Sequence, residues 1–400
     1  GLSLALLMVD TTTLASFDAC TIGGALGLHS TEMLKGVHLE SVSPVNDQFP
    51  KDYIPSVVID SLDFDNAFCW FENLTLVGYL VGCIPSESML KSWVHNHWQP
   101  GGVKPDSEGL GCNTKKVVEI LGHRDARQRP MIRQAYTTMY ADDLLHRLDS
   151  ELRGNLKRAV MLWMYDPAER DAVLLRDALT GAGTKDKTLI EMICSRTPSQ
   201  LQLIRQAYHA RYNKFVEKDV ESDTSGHYQK LLLAYLSATR YEGLQVDMRL
   251  AEMDAKALYK AGEARVGTDE ATFIQIFSTR SSAQLAAIAS VYHNIYARDL
   301  EKAIKRETSG DFEDALRAIL KCIRNPAKYF AKILYKSMKG LGTDDAALIR
   351  VVVTRAEMDM EYIKAEFFNT YGKTLEHMIS SDTSGDYKAF LLTLVSGHPK

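Results

Sequence analysis

Met338-Lys339-Gly340-Leu341-Gly342-Thr343-Asp344 decides how this 400-residue chain folds, because its glycine pattern has three counterparts upstream in the same register. The anchor glycines are Gly111, Gly183, Gly267 and Gly342. Thirteen residues after each stands an arginine (Arg124, Arg196, Arg280, Arg355), and forty after each a carboxylate (Glu151, Asp223, Glu307, Asp382). An aromatic returns at plus twenty-five (Tyr136, Tyr208, Tyr292, Phe367), a tyrosine at plus twenty-nine (Tyr140, Tyr212, Tyr296, Tyr371) and a glycine at plus forty-three (Gly154, Gly226, Gly310, Gly385). Self-similarity at a nearly fixed period means stacked copies of one supersecondary unit.

Each unit is too long for a two-helix solenoid repeat and needs about four or five helices. Large apolar side chains return at three and four residues in Phe330 through Met338 and in Ala346 through Val352, with no alternating strand pattern. The expected fold is therefore all-α. Its parts are an unassigned N-terminal extension over 1–106, a truncated repeat I over 107–164, repeat II over 165–240, repeat III over 246–323 and repeat IV over 325–397.

With Met338 through Asp344 in the last copy and Asp382-Thr383-Ser384-Gly385 downstream, the chain resembles the annexin family, and in detail the plant annexins, over roughly residues 107–396. One glycine turn of this kind would be weak grounds. Four copies, each with its acid at plus forty, are strong.

The resemblance implies calcium as cofactor. A hard divalent cation takes six to eight oxygens from carboxylates, carbonyls and water. Glycines flanking the turn let the backbone adopt positive φ and aim successive carbonyls at one point. In the annexin arrangement the carboxylate forty residues on completes the shell, and open positions go to water or a lipid phosphate. Carried over, the last copy offers the carbonyls of Met338, Gly340 and Gly342 with Asp382. The second offers Gly181, Gly183 and Asp223, and the first Gly109, Gly111 and Glu151. In the third copy, Glu263-Ala264-Arg265-Val266-Gly267 puts Arg265 where the first glycine is sought, so no tight calcium is expected there despite Glu307.

Composition agrees. A hydrophobic content of 46% suffices for a sizeable core, and a net charge of −4 gives no global pull towards nucleic acid or anionic lipid. Attraction to a negative membrane must come from local basic patches or a bridging cation. The cysteines (Cys20, Cys69, Cys83, Cys112, Cys194, Cys322) show no CxxC pairing, which argues for reduced thiols in the cytosol. No signal peptide and no transmembrane helix is read: Gly1–Val9 lacks a basic flank, and the stretch from Ala67 to Pro85 is broken by Glu72 and Asn73. The Asn73-Leu74-Thr75 sequon is read as chance occurrence.

Other words have bland readings beside sharper ones. The plus-thirteen arginines fit structural ion pairs, and the plus-twenty-five and plus-twenty-nine rings fit core positions. His123 occupies a position that the resemblance connects with haem-linked peroxidase activity, but no second haem ligand is evident. Asp223-Thr224-Ser225-Gly226 and Asp382-Thr383-Ser384-Gly385 match DxxG, and Gly372-Lys373-Thr374 ends like a P-loop, yet Phe367 stands where its first glycine belongs. Ile349-Arg350-Val351 is similar to a word that plant annexins associate with actin, which makes actin a candidate partner, although apolar surroundings favour burial.

Residues 1–106 match nothing in the repeat. The part from Phe71 to Trp98 faintly resembles a plant retroelement-derived domain, and the segment is read as either a small α+β unit or no stable fold. Copy one is approached through Gln99-Pro100-Gly101-Gly102-Val103-Lys104-Pro105, which is incompatible with a helix, so its leading helix is expected to be missing and Trp93–Trp98 is the candidate filler of the groove.

The expectation is a non-enzymatic, cytoplasmic protein that attaches peripherally to anionic phospholipid membranes when calcium rises, with no nucleic acid as partner. The alternatives are a peroxidase-like or nucleotide-hydrolysing enzyme, or a calcium-independent cytoskeletal scaffold.

Overall fold

The computed structural model describes residues 3–5, 56–58 and 114–397, with residues 182 and 341 excepted. In the first of two compact units, Gly1–Gln99, strand Ser3–Ala5 pairs antiparallel with Ser56–Val58, Ser3 opposite Val58. The rest of the N-terminal readings, the leading segment of copy one and the Trp93–Trp98 filler among them, lie outside the described residues.

The second unit is all helix among its described residues. Copy one holds Thr114–Leu121, Gln128–Tyr140, Leu144–Glu151 and Gly154–Met164. Copy two holds Pro167–Leu179, Asp186–Cys194, Pro198–Tyr212, Val216–Asp223 and Gly226–Ser237. The same five-helix order follows as Met248–Ala261, Glu270–Thr279, Ser282–Tyr296, Leu300–Glu307 and Gly310–Arg324, then as Pro326–Met338, Asp345–Arg355, Met360–Tyr371, Leu375–Asp382 and Gly385–Ser396.

Local chemistry fixes these boundaries. Asp166 accepts from Ala168 N ahead of Pro167, and Thr197 with Gln200 forms a capping box ahead of Pro198, so proline sits where its missing N–H is not needed. Third helices end in a left-handed residue, Ala141, Asn213, Ala297 or Gly372. The plus-forty-three glycines open the fifth helices at φ between 59° and 65°. That backbone requirement accounts for the glycine of the DxxG words.

Within copies two to four the first helix lies along the third. Between copies the fifth helix crosses to a partner's second helix. Gly226–Ser237 packs on Glu270–Thr279, and Gly310–Arg324 packs on Asp186–Cys194, which joins copies two and three. Asp345–Arg355 packs on Gly154–Met164, and Gly385–Ser396 packs on Thr114–Leu121, which joins copies four and one.

The core follows the apolar periodicity, with Trp163, Tyr208, Phe277, Phe330, Phe367 and Phe390 fully buried. The plus-twenty-five rings are core as expected. The plus-twenty-nine tyrosines are not: Tyr140 is exposed, and Tyr212, Tyr296 and Tyr371 are half-buried. Four residues exceed one turn by enough to swing the second ring to the rim, where Tyr296 stacks on Tyr259 at 3.9 Å and Tyr371 on Tyr335 at 3.7 Å.

Candidate functional site

In copy four the first helix stops at Met338, whose side chain is buried, so only its main chain is available to a ligand. The loop then turns through Gly340 at φ 121° and Gly342 at φ 85°, and Asp344 N closes it on Ser337 O at 2.8 Å. Copy two repeats this with Gly181 at 116°, Gly183 at 87° and Lys185 N on Ala178 O at 3.0 Å. A Cβ at any of these four glycines would meet nothing within 4 Å, so the backbone angle, not crowding, demands glycine.

The distant acid reaches the loop through a hydroxyl. Thr343 Oγ1 donates to the main-chain carbonyl of Asp382 at 3.2 Å, Thr184 to that of Asp223 at 2.9 Å and Thr268 to that of Glu307 at 2.6 Å. These threonines were missed in the sequence, although each directly follows its anchor glycine; copy one has Cys112 there.

Each acid is the last residue of its helix: Glu151, Asp223, Glu307 and Asp382. Two helix C-termini therefore converge at each complete loop, the first helix of the copy and the fourth. Both present unsatisfied carbonyls and the negative end of a dipole, which disfavours a carboxylate and favours a cation. Among the described residues, Asp223, Glu307 and Asp382 have no ion-pair partner. Glu151 differs, because Arg147 one turn earlier pairs with it at 2.9 Å. Gly109 and Gly111 lie outside the described residues, so only Glu151 of the first proposed ligand set is placed. No group of three or more His, Cys, Asp or Glu side chains that could hold a metal occurs among the described residues. A cation at these loops would draw mainly on main-chain oxygens, which suits a hard ion.

The comparison of Arg265 with Gly340, position for position, does not hold. Asp269 N closes the third loop on Ala261 O at 2.7 Å, which gives this loop one residue more than its counterparts. The extra residue lets the turn close without a positive φ at Arg265, whose side chain is exposed. Gly262 now follows the first helix, and a Cβ on it would come within 2.9 Å of Glu307 Cγ, so the acid lies directly against the loop. Glu263 is fixed beneath by Arg298, Arg306 and the Tyr292 hydroxyl.

Remaining words find structural places. Arg196 pairs with Asp171 and Arg280 with Asp254, each with a 2.6 Å contact. Arg355 pairs with Asp359 and lies 4.3 Å from the Phe330 ring centre. Ile349, Arg350 and Val351 are buried and present no surface. Gly372 ends one helix, and Thr374 caps the next through His377 N. His123 is half-buried with Nδ1 on the Glu119 carbonyl at 2.7 Å.

A family model described as Annexin matches residues 106–163, 170–235, 253–319 and 329–394. Annexin D5 of Arabidopsis thaliana is 49% identical over 288 residues, covering 72% of this chain and 91% of that protein. Human Annexin A4 is 45% identical over 290 residues, with the same coverages. Among solved structures, annexin III superposes with TM-score 0.73 at 38% identity, over 78% of this chain and 94% of its own. Calcium-bound annexin (Sm)1 gives 0.67 at 28% identity, over 79% and 91%. With four matched repeats, a glycine loop tied by threonine to the distant acid in copies two, three and four, and relatives of this closeness, the chain belongs to the annexin family.

Proposed function

We propose that this protein binds anionic phospholipid surfaces through calcium ions held at its glycine loops, and that it does so as a binding protein without catalysis. The observation that carries the reading is the junction of two helix C-termini at the loops of copies two, three and four, each pinned by a threonine hydroxyl and left with a carboxylate that has no ion-pair partner among the described residues. The ligand sets are Met338, Gly340, Gly342 and Asp382 in copy four, Gly181, Gly183 and Asp223 in copy two, and Gly109, Gly111 and Glu151 in copy one. The third loop joins them through Gly262, Gly267 and Glu307, since its extra residue removes the objection raised by Arg265.

Bound calcium supplies a positive charge with exchangeable positions for a lipid phosphate oxygen. The residues of the chain do the rest: the glycines aim carbonyls, the carboxylates supply charge, and the threonines hold both in register before any ion arrives. Several weak sites on one molecule raise attachment through effective concentration. Among the described residues no helix is long and apolar enough to cross a membrane.

Co-sedimentation with phosphatidylserine-containing vesicles tests this. Pelleting with calcium, release by chelator, and no pelleting on phosphatidylcholine alone are expected. Equal pelleting with and without calcium would place the protein in the calcium-independent scaffold class.

A further inference from the structure

Arg170, in the first part of helix Pro167–Leu179, is 3% exposed, and its Nε and Nη1 hydrogens meet no acceptor. Other buried arginines are provided for. Arg196 holds Asp171, Arg350 holds Glu191, Arg355 holds Asp359, and Arg240 donates to Tyr235 O while lying over that ring.

The acids around Arg170 are already committed. Asp171 faces Arg196, with Oδ2 2.6 Å from Nε and Oδ1 3.3 Å from Nη2. Glu357 faces Arg129 bidentately at 2.9 and 2.8 Å. Arg129 is itself 1% exposed, and its Nε also lacks an acceptor. Three guanidinium groups therefore share two carboxylates where copies one, two and four meet. Burial pushes the Arg170 pKa down to about 10, the nearby charges of Asp171 and Glu357 opposing this and those of Arg129 and Arg196 adding to it, which still leaves it a cation at neutral pH. A buried charge without a partner costs several kcal/mol, and unmade hydrogen bonds add to that.

We propose that a small inorganic anion, chloride or a tetrahedral oxyanion, binds at the Arg170 guanidinium and neutralises the junction of copies one, two and four. The requirement is for negative charge and acceptor lone pairs together, which water meets only in part. Burial to this extent keeps out a lipid headgroup, so the ligand is a free ion.

The test is thermal unfolding of the full chain, calcium-free, at one ionic strength in sodium gluconate, sodium chloride or sodium sulfate. A binder of the folded state present at ten times its Kd should raise the midpoint by about 2–5 °C over gluconate. Chloride and sulfate arms separate the two kinds of ion. Arg170→Met should lose the ion-specific part and, in gluconate, melt no lower than the parent, because it removes the unpaired charge while keeping the volume. The same anion dependence in parent and variant, or none in the parent, overturns the proposal. Should Arg170→Met fail to fold, chloride-35 line broadening on the parent decides: no saturable broadening by chloride, together with no sulfate-induced rise in the midpoint, overturns it.

Discussion

Arg350 and Glu191, 159 positions apart in the chain, meet inside the protein with Nε 3.0 Å from Oε1 and Nη2 2.8 Å from Oε2. The Arg350 Nη1 also donates to Thr188 Oγ1 at 3.1 Å, so one guanidinium ties copy four to copy two. Glu191→Ala should lower stability by about 3–5 kcal/mol, because it strands a buried cation. Replacing both partners, as in Glu191→Leu with Arg350→Met, should cost clearly less. Urea unfolding measures both, and a double variant no better than the single would mean that the pair contributes little of the loss.

Asp382→Asn should raise the calcium needed for half-maximal vesicle binding about tenfold, the scale of one charged ligand lost. Glu307→Gln should raise it comparably, since Glu307 is held by Thr268 and lies against Gly262 as closely as the fold permits. Glu151→Gln should matter less, because Arg147 already occupies that carboxylate. Calcium titrations of vesicle binding check all three, and an inert Glu307→Gln would reinstate Arg265 as the feature that disables the third loop.

Thr343→Val should weaken the fourth site about threefold to tenfold, the range of one hydrogen bond, while Thr343→Ser keeps near-normal affinity. The hydroxyl acts on the position of Asp382, so the melting temperature should barely move in either variant. Isothermal titration with calcium separates the two substitutions. Equal affinities would show that the loop is ordered without the bond.

Deleting residues 1–92 should leave calcium-dependent vesicle binding largely unchanged, because the second, third and fourth loops and their acids all lie after residue 178. A soluble, helical truncation that no longer pellets would assign the membrane contact to the N-terminal segment.

The helical repeat was legible because its glycines and acids answer to backbone angles and charges that recur at fixed offsets. The ion pairs of Arg196 and Arg280 were legible because a recurring arginine after an apolar stretch calls for a carboxylate, although Arg196 is buried and Arg280 only half-buried. Pairing of copies one and four was not, since nothing in a local pattern says which fifth helix crosses to which second helix. The third loop misled because Arg265 was matched to Gly340 by counting back from Gly267, and a single inserted residue changes what that count means. Thr184, Thr268 and Thr343 were visible as letters, but their partner is a carbonyl thirty-nine residues away, and a carbonyl carries no signal in a sequence.

The crossing of fifth helices onto second helices sets an order of assembly. Copies two and three are neighbours along the chain and can close on each other as soon as helix Gly310–Arg324 has been made. Copy one is synthesised first but finds its partner last, since its second helix waits for Gly385–Ser396. Until then the face of Thr114–Leu121 that meets copy four stays open to other chains. A ribosome stalled before residue 385 would therefore carry a closed middle and a sticky beginning, and holding chaperones should be found on the beginning.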